Sequence, residues 1–266
     1  MNNKLNYYKQ LWNLSDNGNP FTTHSSLLQP VSYNGASCIL KIALGDEERR
    51  GNGLMAWYKG NGAATVLQCD DSALLMERAT GPQSLVEMAK TGGDDEASHI
   101  ICSVVTRLHA HNAPYPKNLV PLHIWVKSLE SAAARLVGIF VQCSQIANDL
   151  LNEPIDQVVL HGDIHHGNIL DFGAKGWLAI DPKGLFGERG FDYANLFCNP
   201  DIATAIAPGR LMRQVDIISK EAGLEPKRLI QWIAAWAGLS AAWALEDGTN
   251  AEPAMARIAL NELNII

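Results

Sequence analysis

The densest chemistry in the chain lies between residues 158 and 183, where His161-Gly-Asp163, Asn168 and Asp181 fall within one short stretch. The apolar run Val158 to Leu160 feeds a loop, and Ile169-Leu170 and Trp177 to Ile180 flank Phe172-Gly-Ala-Lys-Gly176 as a hairpin, with Asp181 just past its second strand. Three polar groups therefore sit beyond strand ends, where the backbone is rigid and side chains can converge. The spacing His161-x-Asp163-x-x-x-x-Asn168 serves phosphoryl transfer. In that chemistry an Asp takes the proton of an attacking hydroxyl, and an Asn and a later Asp hold Mg²⁺ against nucleotide phosphates.

A second constellation lies upstream. Lys41 sits inside the apolar run Ser37 to Ile42, and Glu48 or its neighbour Glu47 opens the following helix and can pair with it. Alone, such a pair is usually a surface charge pair. Ahead of the loop, and in this order, the pair becomes much stronger evidence for a strand lysine that contacts phosphates. Thr23-His-Ser-Ser26 is the candidate phosphate cover, since small residues such as Ser25 and Ser26 let backbone N–H groups approach phosphates. Asp171-Phe-Gly173 spells a metal-binding motif but falls only three positions after Asn168, before the hairpin has turned, and reads as a decoy. His161, His165 and His166 cluster, yet no helix puts two of them on one face for zinc.

These groups need elements to carry them. Up to about Leu75, short β-rich runs alternate with turn dipeptides: Phe21 to Val31, the Asn34-Gly35 turn, Ser37 to Ile42, one helix over Glu47 to Tyr58, then Ala64 to Gln68 and Ser72 to Met76. From Gly81 onward helices dominate. Asp94-Asp95 is expected to cap a helix carrying Ile101, Val105 and Leu108, and Ser128 to Leu151 reads as a second long helix. Further helices are expected at about 208–222, 226–246 and 252–264, with Pro226 at one start and Gly248 at one stop.

Composition narrows the function. With 47% hydrophobic and 18% charged residues, the chain has the balance of a globular protein rather than a disordered one. A net charge of −7 argues against nucleic acid and suits a cationic small molecule. Five scattered cysteines without a C-x-x-C pattern point to reduced thiols and a cytoplasmic setting. The start lacks an export signal, and the apolar stretch Trp232 to Leu245 is too short to span a bilayer, so no membrane partner is expected.

Taken together, the chain resembles the aminoglycoside phosphotransferases of the protein-kinase-like superfamily, and within them the streptomycin 6-phosphotransferases, the aminoglycoside/hydroxyurea resistance kinases. The similarity runs through Thr22 to Ser26, Leu74-Leu-Met-Glu-Arg78, Leu160 to His166, Trp177-Leu-Ala-Ile-Asp-Pro182, Gly187 to Asn195 and Gly238-Leu-Ser-Ala-Ala-Trp243. It implies an α+β, two-lobed kinase-like fold. A small antiparallel N-lobe with one helix would span residues 1–80, with a hinge at about 76–81, and a larger helical C-lobe residues 82–266. It implies ATP and Mg²⁺ as cofactors, Asp163 as base, Asn168 and Asp181 as metal ligands, and Lys41 with Glu48 at the phosphates. Adenine would meet the hinge at Met76, Glu77 and Ala79. The acceptor would be streptomycin at its 6-hydroxyl, and the enzyme a monomer.

Gly162 stands where protein kinases carry an arginine, and only about ten residues separate Asp181 from Phe191-Asp192, so no regulated activation segment fits. A constantly active small-molecule kinase is expected, the alternatives being a kinase for another small hydroxylated metabolite or a non-catalytic nucleotide-binding pseudoenzyme. Glu188, Asp192, Glu246 and Asp247 are candidate carboxylates for a cationic acceptor, with Trp236 and Trp243 as stacking faces. Trp232 shares their helical spacing and is as readily a core residue.

Overall fold

In the computed structural model, which describes residues 2–249 and 253–265, the first lobe forms around one antiparallel sheet. In chain order its elements are α1 (Asn2–Leu11), β1 (Ser15–Asp16), β2 (Phe21–Thr22), β3 (Ser26–Tyr33), β4 (Ala36–Ala43), α2 (Asp46–Tyr58), β5 (Val66–Cys69) and β6 (Ala73–Glu77). The strand order is β1-β3-β4-β6-β5, with β2 on β3. Asn34 and Gly35, at φ 49° and 81°, make the β3–β4 turn, the left-handed pair a tight hairpin demands.

The two-residue period of β4 sorts its side chains. Leu40 and Ile42 join Leu75 on the face that packs α1, and Lys41 points to the opposite face, opposite Leu28 on β3 and Leu74 on β6. The lobe carries two helices, not the one expected. In α1 Leu5 and Tyr8 bury against the back of the sheet, and Tyr8 Oη donates to Asp70 at 3.0 Å. Mostly polar in sequence, α1 is held by this packing rather than by propensity.

The second lobe contains α3 (Leu85–Lys90), α4 (Asp94–His109), β7 (Val120–Pro121), α5 (Leu122–Trp125), α6 (Lys127–Arg135), α7 (Ile139–Asn152), β8 (Gln157–Leu160), β9 (Ile169–Asp171) and β10 (Trp177–Ala179). After these come β11 (Leu185–Glu188), α8 (Gly190–Ala194), α9 (Ile202–Ala205), α10 (Arg210–Ala222), α11 (Pro226–Glu246) and α12 (Ala254–Ile265). Strands β9 and β10 pair as a hairpin, and β11 lies between β7 and β8. Helix α11 runs through the core of this lobe, buried from Trp232 to Leu239. Among the described residues no helix is long and apolar enough to cross a membrane.

Three local expectations change. The helix expected over Ser128 to Leu151 is two, α6 and α7, because the chain becomes extended at Leu136 (φ −121°, ψ 153°) and takes a positive φ of 78° at Gly138. Asp94 and Asp95 do not cap α4, whose N-cap is Gly93; their carboxylates pair with Arg210, Arg213 and Gln214 on α10. The last helix begins at Ala254, and its expected start at 252 lies outside the described residues.

The lobes are joined by more than the connection after β6. Ala64 N–H donates to Ala179 O and Ala179 N–H to Gly62 O, both at 2.9 Å, and Gly81 N–H donates to Asp171 O at 2.9 Å. These bonds set the first sheet over the β9–β10 hairpin and leave a cleft between.

Candidate active site

Strand β8 ends at Leu160 and delivers Asp163 on a loop that His161 staples in place. The buried His161 donates from Nε2 to Ile180 O at 2.9 Å, and its Nδ1 accepts Asp163 N–H at 3.2 Å. Burial outweighs the neighbouring Asp192 and Asp163 charges and lowers its pKa, which suits a neutral ring with one donor and one acceptor. Asp163 Oδ1 accepts Asn195 Nδ2 at 2.8 Å, and Oδ2 accepts Asn168 Nδ2 at 3.2 Å. Asn199 donates to Asn195 Oδ1 at 2.9 Å, turning the Asn195 NH₂ toward Asp163. Asn168 spends its amide hydrogens on Asp163, leaving Oδ1 for a cation.

Asp181 follows β10 at φ 63°, a left-handed conformation uncommon for a residue with a side chain. Its carboxylate pairs with Lys41, which also pairs with Glu48. Glu48, not Glu47, is thus the partner of Lys41. Burial opposes the Glu48 charge, but Lys41 chiefly, with Ser26 and Lys183, holds its pKa down to about 2. Lys183 Nζ lies 3.3 Å from Glu48, 3.4 Å from Glu47, and 3.9 Å from both Asp163 and Asp181. Its own burial works against the charge, but these carboxylates raise its pKa above that of an ordinary lysine.

Two cavities flank this cluster of charges. One of about 410 Å³ has apolar walls such as Ile39, Leu74 and Leu170, with Lys41, Asn168 and Asp181 at one end and Met76, Glu77 and Ala79 along its edge. The other, about 610 Å³, has Asp163, Gly162 and Lys183 in its lining with Trp125, Trp236, Trp243, Glu246 and Asp247. Trp243 meets Trp125 and Trp236 edge-on at 5.6 and 6.5 Å between ring centroids. Glu246 accepts Ser128 Oγ at 3.0 Å.

Several expected residues are placed otherwise. Ser26 lines the first cavity, but its hydroxyl donates to Glu48 at 2.7 Å and its N–H to Thr23 Oγ1 at 3.1 Å, so neither is free for a phosphate. Ser25 accepts Leu44 N–H at its carbonyl at 3.0 Å, a bond that engages neither its N–H nor its hydroxyl. Glu188 does not line the second cavity: it is buried, forked by Arg228 at 2.6 and 2.7 Å, and takes the Trp232 indole N–H at 2.8 Å. Trp232 is accordingly a core residue. Asp192 does not line that cavity either: buried inside α8, it accepts His161 N–H at 3.0 Å and Gly162 N–H at 2.7 Å, and lies 2.8 Å from His109 Nε2.

Asp171 faces the inter-lobe connection, its side chain accepting Gly173 N–H at 2.8 Å and Gln83 N–H at 3.2 Å. Among the described residues no group of His, Cys, Asp and Glu is arranged to hold a metal by itself. His165 turns Nδ1 to Gly167 N–H at 3.0 Å, and buried His166 has no partner for either ring nitrogen. Lys183, Asn195 and Trp125 do not stand out in the sequence, although Lys183 closes the 158–183 stretch and Asn195 the Gly187 to Asn195 segment, and His24 lies in the Thr23 to Ser26 loop.

A β-sheet lobe, a helical lobe and a cleft between them lined by lysine, Asn and paired carboxylates define a two-lobed, protein-kinase-like fold. The chain belongs to the aminoglycoside/hydroxyurea antibiotic resistance kinase family, whose model matches residues 11–248. It is 46% identical over 242 residues to a streptomycin 3″-kinase of Klebsiella pneumoniae, covering 89% of this chain and 91% of that one. It is 32% identical over 261 residues to a streptomycin 6-kinase of Streptomyces griseus, covering 90% and 81%. A solved aminoglycoside phosphotransferase, APH(4)-Ia in ternary complex with ADP and hygromycin B, superposes with TM-score 0.64 at 14% identity, covering 98% and 96%.

Proposed function

We propose that this protein transfers the γ-phosphoryl group of ATP to a hydroxyl of streptomycin, with residues 1–80 as the nucleotide lobe and 82–266 carrying base and acceptor site. The observation that carries this reading is the position of Asp163, in the wall of the acid- and tryptophan-lined cavity and hydrogen-bonded to Asn168 of the other. Streptomycin carries two guanidinium groups, planar forks that Glu246 and Asp247 can receive and Trp236 and Trp243 can stack upon. The higher identity to a 3″-kinase favours the 3″-hydroxyl over the 6-hydroxyl that the resemblance implies.

The charges suit a divalent cation. Glu47, Glu48, Asp163 and Asp181 oppose Lys41 and Lys183, leaving an excess of two negative charges. Asn168 Oδ1 and Asp181 would hold Mg²⁺, which uses few protein ligands when phosphates complete its shell and there neutralises phosphate charge. Lys41 draws the α- and β-phosphates into the cleft, and Met76, Glu77 and Ala79 receive the base. Asp163, aimed by Asn195 and Asn168, orients the acceptor hydroxyl and accepts its proton.

Incubating the protein with ATP, Mg²⁺ and streptomycin should release ADP and give a phosphorylated product, whose position two-dimensional NMR assigns. ADP release stimulated by choline or kanamycin but not by streptomycin would refute the assignment.

A further inference from the structure

The Lys183 ammonium stands equidistant, at 3.9 Å, from Asp163 Oδ2 and Asp181 Oδ2. Asp163 marks the acceptor hydroxyl and Asp181 the phosphate donor, so a group between them lies on the path of the transferred phosphoryl. Pairing alone is a weak reason for a second lysine here, because Lys41 already pairs with both Glu48 and Asp181. The backbone beneath Lys183 is clamped from both lobes. Its N–H donates to His161 O at 2.7 Å, and its carbonyl accepts Arg50 Nε at 2.8 Å. The preceding Pro182 carbonyl touches α2 so closely that a Cβ at Gly51 would lie 2.2 Å from it. The root of the side chain is fixed, and a four-carbon stem leaves its ammonium free to swing.

Resting on the phosphotransferase assignment, we infer that Lys183 is a catalytic residue whose ammonium leaves the carboxylates for the oxygens of the transferring γ-phosphoryl group. In that transfer the acceptor oxygen bonds to phosphorus and its proton passes to Asp163. The bond between phosphorus and the β–γ bridging oxygen breaks, its electron pair departing with ADP. Lys183 stays protonated throughout. A cation placed on the moving group acts on the transition state more than on bound substrates.

The test is calorimetric titration of Mg²⁺ and ADP, with and without fluoroaluminate as a mimic of the transferring group, into wild type, K183M and K183R. ADP affinity in K183M should stay within about threefold of wild type, which also reports folding, while the fluoroaluminate gain falls about 10²-fold and K183R keeps most of it. In turnover, kcat should fall with the acceptor KM unchanged. A full fluoroaluminate gain in K183M overturns the role, and so does an equal loss with and without the mimic, which makes Lys183 a structural partner of Glu48. A wild type that gains nothing from fluoroaluminate refutes the phosphotransferase assignment itself, and the lysine's role with it.

Discussion

Replacing Asp192 by Asn separates a carboxylate that holds the catalytic loop from one that touches the acceptor. In the native protein Oδ1 takes Gly162 N–H at 2.7 Å, and Oδ2 takes His161 N–H at 3.0 Å with His109 Nε2 at 2.8 Å. Asn keeps the shape but offers one oxygen, so its NH₂ must face one of the two loop N–H groups. Losing a hydrogen bond to a charged acceptor costs about 1.5–3 kcal/mol, and the buried donor left unsatisfied about 1–3 more. The sum of about 2.5–6 kcal/mol should lower Tm on the order of 10 °C for a chain of this size. Gly162 directly precedes Asp163, so the same strain misplaces the base. We expect kcat to fall on the order of 10²-fold, with the acceptor KM within about twofold. Thermal unfolding and steady-state kinetics read both effects. An unchanged Tm and kcat, or a raised acceptor KM with kcat intact, would refute this account of Asp192.

Asp163→Ala should cut transfer by about 10²–10⁴-fold while nucleotide binding persists, and Asp181→Ala should instead abolish Mg²⁺-dependent nucleotide binding; identical titrations would collapse the division of roles. Asp171→Ala should keep transfer near wild type and cost about 1–2 kcal/mol of stability from two lost turn bonds, and loss of metal binding in the folded variant would contradict its placement away from the phosphates. Burial, with Arg210 second, lowers the His166 pKa to about 4, so between the unfolded value of 6.5 and 4 the unfolded chain binds more protons. Its stability contribution is complete above pH 6.5 and falls by about 1.4 kcal/mol per unit as pH drops, roughly 3 kcal/mol by pH 4. His166→Asn should flatten the pH dependence of the urea midpoint between pH 7 and 5, and equal slopes would dismiss it.

What lay open to reading along the chain was whatever depends on neighbours in sequence. His161, Asp163 and Asn168 belong to one loop, and Asp181 follows a hairpin whose length is set by five turn residues, so spacing alone brings them near one another. Lys41 was legible as a lysine inside a strand ahead of the loop, and the Glu47–Glu48 pair because acidic residues belong in a first helical turn, but only the folded structure singles out Glu48 as the partner. Helix α1 was not, since its apolar contacts exist only once the sheet has formed.

Residue type and proximity could not say which way a carboxylate faces. Glu188 and Asp192 are acidic and close to the metal motif, yet Arg228 from α11 claims one and the backbone of the catalytic loop the other. Each is neutralised by partners far away in sequence, and a buried carboxylate goes where its donors are. Trp125, Asn195 and Lys183 join the site for the same reason. Trp125 and Asn195 reach it through packing within the second lobe, against Trp243 and Asp163, and Lys183 through Glu47 and Glu48 of the first lobe, contacts between residues far apart in sequence that no local pattern encodes.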